Sequence, residues 1–363
     1  MSLEGRGFGA RLAKPVPAPW RDDRRELEFR MIGMLRAAAV AVPLAMAGLA
    51  GGAQAQMALT PAASGAGWGL SVFASGFPTT GNPCCGPLGI EFPASGGVLV
   101  ANYTGEIYRF ATNADNQTAA GATVGHTFGW MQPVDLASAG GQVFMANQGG
   151  NAIEKLSDLG AHQGTLATSQ FLSLPTGLAT NPVSGHLYVS AMGFNSGIYD
   201  VDPVSGVTTL LTTGLFDGMT VSADGKKLYA ADFDGVVEFS TGQNGAPAFA
   251  QQNRYDLNDS VDGTALGVGS LAGYLVANTN SGNLYLVELA TGTPTLLASG
   301  GSRGDFVQVD PNGTLLVTQT DRILRLTAPQ GGGFETATPE PGTLAVLGVA
   351  LAGLAGVRRR RAG

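Results

Sequence analysis

Val98-Leu99-Val100-Ala101-Asn102 returns five times in altered form: Val143-Phe144-Met145-Ala146-Asn147, Leu187-Tyr188-Val189-Ser190-Ala191, Leu228-Tyr229-Ala230-Ala231-Asp232, Tyr274-Leu275-Val276-Ala277-Asn278 and Leu315-Leu316-Val317-Thr318-Gln319. Each copy follows a glycine-containing turn and closes on a small or polar residue. Counted from Asn102, successive copies lie 45, 44, 41, 46 and 41 residues apart. Four short strands with their turns take about 40–45 residues in a propeller blade. Six such units over residues 56–326 predict an all-β, six-bladed β-propeller.

The fourth unit spells out the strand order. Gly218-Met219-Thr220-Val221 leads into the turn Ser222-Ala223-Asp224-Gly225, and Lys227 to Ala231 follows. The turn Asp232-Phe233-Asp234-Gly235 then precedes Val236 to Phe239. Asp-Gly pairs supply the positive φ angles that tight hairpins need. Outer strands are expected at Val207 to Leu211 and Thr295 to Ala298. The sixth unit has Phe306 to Val309, Leu315 to Thr318 and Ile323 to Leu326, but no fourth strand of its own. Val72-Phe73-Ala74-Ser75-Gly76 mimics the outer strand Leu296-Leu297-Ala298-Ser299-Gly300. This N-terminal segment is expected to complete the last blade and remove an open sheet edge.

Leu174-Pro175-Thr176-Gly177-Leu178 followed by His186-Leu187-Tyr188-Val189-Ser190, and Asp217-Gly218-Met219 followed by Leu228-Tyr229-Ala230-Ala231-Asp232, resemble the blades of NHL and SMP-30/gluconolactonase-like propellers. The resemblance spans residues 86–326 and implies that function sits at the channel mouth, where first strands start and second strands end. That ring gathers Asn102, Asn147, Ala191, Asp232, Asn278 and Gln319, with Asp135, Asp217, Asp262 and Asp305 near the starts of first strands. Converging oxygens suit a hard cation such as Ca²⁺, and the expected ligands are Asp217, Asp232 and Asp262, with Asn147 and Asn278 nearby. Turn capping by the same side chains is the alternative. In the hydrolytic SMP-30-like enzymes such a cation activates a lactone carbonyl and a water. Those enzymes open their first blade with Glu-Gly-Pro, the Glu being a metal ligand, whereas Cys85-Gly86-Pro87 stands here. The expected ligand is therefore missing, and no catalytic residue is assigned.

Cys84 and Cys85 are the only cysteines. In an oxidising compartment a vicinal disulfide is the favoured state; two reduced thiols, or pairing with another molecule, are the alternatives. His126, His162 and His186 fall in or beside turns and outer strands without metal spacing. Trp130 is a candidate sugar-stacking platform, with burial between strands as the ordinary alternative.

Residues 57–338 carry 8 Lys/Arg against 21 Asp/Glu, a net of −13. So acidic a domain repels nucleic acid and anionic lipid. A divalent cation or a neutral polymer such as polysaccharide is a better-matched partner.

Both ends read as address labels. Pro339-Glu340-Pro341 precedes an uncharged apolar run from Gly342 to Val357, which ends in Arg358-Arg359-Arg360-Arg361. The run is near the length of a spanning helix, and the arginines would hold its end in the cytoplasm. This tripartite tail over residues 339–361 resembles the PEP-CTERM sorting signal of Gram-negative bacteria, which implies processing by an exosortase-type protease. A plain membrane anchor is the alternative. Residues 327–338, with Gly331-Gly332-Gly333, read as a flexible linker. At the other end, Arg36, the apolar stretch Ala37 to Ala50 and Ala53-Gln54-Ala55 follow the order of a signal peptide over residues 31–55, cleaved between Ala55 and Gln56. Residues 1–30, with seven Lys/Arg and five Asp/Glu, then form an extension ahead of a start at Met31 or Met34. The expected protein is an exported cell-envelope or extracellular module that binds or scaffolds. A cation-dependent lactonase-type hydrolase is the alternative.

Overall fold

The computed structural model describes residues 56–81, 84–129, 131–168 and 172–335. Six antiparallel sheets surround an axis. Blade 1 comprises Pro87–Glu91, Val98–Asn102, Glu106–Phe110 and Thr123–Thr127. Blade 2 comprises Pro133–Ala139, Gln142–Asn147, Ala152–Leu156 and His162–Thr168. Blade 3 comprises Pro175–Thr180, Leu187–Ala191, Gly197–Val201 and Thr208–Thr213. Met219–Val221, Lys227–Ala231, Gly235–Ser240 and Ala250–Asp256 make blade 4. Val261–Gly269, Tyr274–Thr279, Leu284–Glu288 and Pro294–Ser299 make blade 5. Each first strand packs against the first strands of the two neighbouring blades, and the contact between blades 6 and 1 closes the ring.

The recurring motif is the second strand, and its composition follows from its place. In blades 1, 3 and 6 every residue of that strand is buried, because neighbouring blades cover both faces. Outer strands meet water, as Ala250–Asp256 does along most of its length. Apolar side chains therefore fill the spaces between blades, where burial contributes about 25 cal/mol per Å² of apolar surface.

Blade 6 takes Gly304–Val309, Leu315–Gln319 and Arg322–Thr327 from the C-terminal side and its outer strand, Gly69–Ser75, from the N-terminal side. Val72 lies opposite Leu324 in antiparallel register, as the missing fourth strand led us to expect. A loop of blade 1 fastens the seam: Gln117–Thr118 pairs in parallel with Ala74 and Ser75. Beneath it the buried Arg325 guanidinium binds Asp115 at 2.7 Å, bonds Asp310, and lies 5.5 Å from the Phe73 ring centre.

Two short segments add to blade 5. Ala58–Leu59 pairs with Ser299 and Ala298 at its outer edge. Gly332–Phe334 pairs with Gly267–Gly269 of its first strand, and Phe334 is buried 6.2 Å from Trp68. The linker expected over 327–338 thus gives way to a strand in its middle. Glycine makes the approach possible, since a Cβ at Gly269 would stand 2.3 Å from the Gly331 carbonyl oxygen. The expected signal peptide with its cleavage site at Ala55, Trp130, and the expected sorting segment with Pro339, Glu340, Pro341 and Arg358 to Arg361 lie outside the described residues. Among those residues no helix is long and apolar enough to cross a membrane.

Candidate functional site

Five of the six first strands carry a bulge. Strand register shifts between Pro87 and Ile90, Pro133 and Leu136, Pro175 and Leu178, Val261 and Gly263, and Gly304 and Val307. Bulges re-aim side chains, and near the start of its first strand each blade carries one of Leu88, Asp135, Thr176, Asp217, Asp262 and Asp305. Four of these precede a glycine for a steric reason. A Cβ at Gly218 would meet the Asp262 carbonyl oxygen at 2.1 Å, and one at Gly177 the Asp217 carbonyl oxygen at 2.4 Å. The Gly218 N–H donates to the Asp262 carbonyl at 2.8 Å, tying blade 4 to blade 5 at the closest approach.

Two of these side chains hold one guanidinium, and Asp217 lies near enough to feel its charge. Arg303 enters from the loop ahead of blade 6, and its Nη2 lies 3.0 Å from Asp262 Oδ2 and 2.9 Å from Asp305 Oδ1. Its Nε donates to Asn280 Oδ1 at 2.5 Å, while Asn280 Nδ2 donates to Asp262 Oδ1 at 2.8 Å. Its Nη1 faces Cys84 Sγ at 2.7 Å and Cys85 Sγ at 3.1 Å. The two sulfurs are joined in the structure. Cys85 is buried, and Cys84 and Tyr103 pack against the same apolar cluster. Tyr103 is held by its hydroxyl, which donates to Gln148 Oε1 at 2.7 Å.

Burial dominates the electrostatics of the three carboxyls. It raises Asp305 above the usual carboxylate range; the Arg303 charge opposes that rise and the Asp262 charge adds to it. Burial also raises Asp262, and the Arg303 charge opposes that rise. Asp217 is likewise raised by burial, and next by the neighbouring charges of Asp262 and Asp305. Its Oδ1 and the Oδ2 of Asp305 are buried and find no partner among the described residues.

The sequence-derived ligand set divides. Asp217 and Asp262 meet at the mouth as expected. Asp232 lines a small cavity together with Asp217 and Asp262, but its carboxylate is taken by Arg254 and by the N–H groups of Asp234 and Gly235 at 3.0 and 2.9 Å. Asn147 caps its own turn by accepting from the Gly150 N–H at 2.8 Å and donates to Glu154 at 2.9 Å. Asn278 donates to the Asp305 carbonyl at 2.8 Å and leaves its Oδ1 unpartnered. Asp305 gains full membership, and Arg303 and Asn280 enter unanticipated. The one available signal was an arginine in a loop at the mouth of a domain so poor in basic residues.

A Ca²⁺ ion needs six to eight oxygens around it. The donors here do not fit that shell, because the Arg303 guanidinium already lies between the Asp262 and Asp305 carboxyls. Among the described residues no group of three His, Cys, Asp or Glu is arranged to hold a metal. His162 and His186 are spent on Glu154 at 3.1 Å and Asp200 at 2.6 Å.

Several solved structures share this architecture. A gluconolactonase from Xanthomonas campestris superposes with a TM-score of 0.59 at 14% identity, covering 75% of this chain and 94% of that one. Regucalcin, a calcium-binding protein from Agrobacterium tumefaciens, gives 0.55 at 18% identity over 73% and 98%. An auxiliary nutrient binding protein from Bacteroides ovatus gives 0.53 at 10% over 72% and 76%. At such identities the likeness is one of fold. No curated protein sequence matches the chain. Residues 337–361 match the PEP-CTERM protein-sorting motif, so the chain joins that sorting motif to a six-bladed propeller similar to the gluconolactonase and regucalcin structures.

Proposed function

We propose that this chain is an exported binding or scaffold module, delivered to the cell envelope or extracellular polymer by its sorting signal, with no cation-dependent hydrolysis of its own. The observation that carries this reading is Arg303. A lactonase of the expected type would need a Lewis-acidic cation among the mouth carboxylates. Here a guanidinium that cannot polarise a carbonyl in that way lies between two of them, and Cys85 takes the place of the carboxylate that the resemblance requires. A panel of lactones assayed with Ca²⁺ and with chelator tests the reading. No turnover in either condition, together with retention of a glycan on an array, supports it. Turnover that chelation abolishes and Ca²⁺ restores overturns it.

The address is part of the same proposal. Cleavage between Ala55 and Gln56 would leave Met57 to Leu59 free to join blade 5, as those residues do. An exosortase-type protease would then act near Pro339-Glu340-Pro341, with the apolar run holding the protein in the inner membrane beforehand. Replacing Pro339 and Glu340 by alanine should trap the protein in the inner membrane fraction. An unchanged distribution would remove the sorting half of the proposal.

A further inference from the structure

We propose that the mouth binds a primary ammonium group carried on an apolar or aromatic body, with Asp217 as its carboxylate partner. The inference rests on the binding reading above and names the ligand class for that site.

Asp217 lines a cavity of about 10 Å³ together with Met192, Leu215, Asp232, Phe233, Val261 and Asp262, and the Asp232 carboxylate is already held by Arg254. That volume admits about one water-sized group, and an ammonium has that size. Asp217 is more than nine-tenths buried, and its Oδ1 has no hydrogen-bond partner among the described residues. Its two carboxyl neighbours are engaged with Arg303, so the shared guanidinium leaves Asp217 without a directly bonded cation. An anion would meet three carboxyls here. A divalent metal would meet the side chains of Met192, Leu215, Phe233 and Val261 where its oxygen shell should be.

The surroundings specify the rest of the ligand. Leu215 and Phe233 are half exposed and continue into a wider cleft beside Arg254. Phe194, in the loop after the second strand of blade 3, is 76% exposed. Exposed aromatic and aliphatic side chains around an acidic pocket suit a cation with an apolar body, and the Phe233 ring can add a cation–π contribution.

The purified protein should be titrated at about pH 8 with phenethylammonium chloride, with the uncharged isostere 2-phenylethanol, and with calcium chloride. Phenethylammonium should bind and raise the melting temperature, and Asp217→Asn should weaken it at least about tenfold. The alcohol should not distinguish wild type from variant. Asp217→Asn should itself melt no lower than wild type, since it removes a carboxylate from beside two others, so a loss of binding is not a loss of fold. Equal binding of amine and alcohol, or full amine affinity in Asp217→Asn, overturns the proposal. So does a Ca²⁺-induced rise in melting temperature that displaces the amine and disappears in the variant. Glycan retention with failure of the amine would sink this inference alone, whereas chelator-sensitive lactone turnover would sink the binding reading beneath it.

Discussion

Near the start of the first strand, blades 1–3 carry Leu88, Asp135 and Thr176, while blades 4–6 carry Asp217, Asp262 and Asp305. The first group is spent on the scaffold. Leu88 joins the apolar cluster under the mouth. Asp135 accepts the N–H groups of Leu136 and Leu178, each at 2.8 Å. The Thr176 hydroxyl donates to the Leu174 carbonyl at 3.1 Å. The second group holds one guanidinium and leaves two buried carboxyl oxygens without partners. Each blade thus offers a residue near the start of its first strand, and what differs is whether the backbone nearby consumes the side chain. Uncompensated polar groups in a low-dielectric site are costly and persist where something else will meet them.

Removing Arg303 should break the charged half most severely. Arg303→Met leaves Asp262 and Asp305 buried without their cation, and breaking a buried ion pair from one side costs about 3–5 kcal/mol. For a domain of this size that corresponds to a fall in melting temperature on the order of 10 °C. The loss should be greatest near pH 9 and smaller near pH 5. Without Arg303 the folded carboxyls take up protons more readily than the unfolded ones, so stability falls as pH rises through their folded pKa values. Arg303→Lys keeps a charge but not the fork that reaches both carboxyls and Asn280, and should fall between. A melting temperature for Arg303→Met within about 2 °C of wild type at both pH values would mean that the cluster is solvated and the contrast between halves has no energetic content.

The contrast also explains what could be read in the sequence and what could not. The second strands were legible because burial on both faces forces apolar runs, and because Gly185, Gly225 and their equivalents mark each hairpin. Ring closure was legible from an absence, the fourth strand missing after Leu326. Ala58–Leu59 and Gly332–Phe334 were not, since two or three residues carry no alternation to detect. At the mouth, Asp217-Gly218 and Asp262-Gly263 stood out because the glycine is needed for the neighbouring carbonyl to approach. Asp305-Phe306 lacks that mark. Asp232 was read as a mouth ligand because an Asp ending a strand looks the same whether it turns toward the axis or caps Asp234 and Gly235. Only the fold places Arg254 beside it. Arg303 was missed for the complementary reason: nothing local announces a partner that comes from blade 5.

The smaller prediction sharpens the contrast from the scaffold side, at Asp135. Burial pushes this carboxyl up to about 7, while its two backbone N–H bonds pull the other way. An unfolded Asp titrates near 4, so between those values the folded protein binds the extra proton. Stability contributed by the neutral form is then full below about pH 4 and is lost as pH rises through about 7. Asp135→Asn cannot titrate. It also keeps one acceptor where two N–H groups need one each, which costs about 1–3 kcal/mol. Melting curves from pH 5 to pH 9 should therefore show the variant below wild type at pH 5, with the gap narrowing as pH rises. Glu91, raised to about 8 mainly by its own burial, also feels the Asp135 charge, so its slope is common to both proteins except for that smaller contribution. If the two profiles run parallel, Asp135 stays ionised throughout because its two N–H bonds outweigh burial. Blade 2 would then hold a charged carboxylate on two backbone N–H groups with no guanidinium beside it, and the difference between the halves would lie in partners.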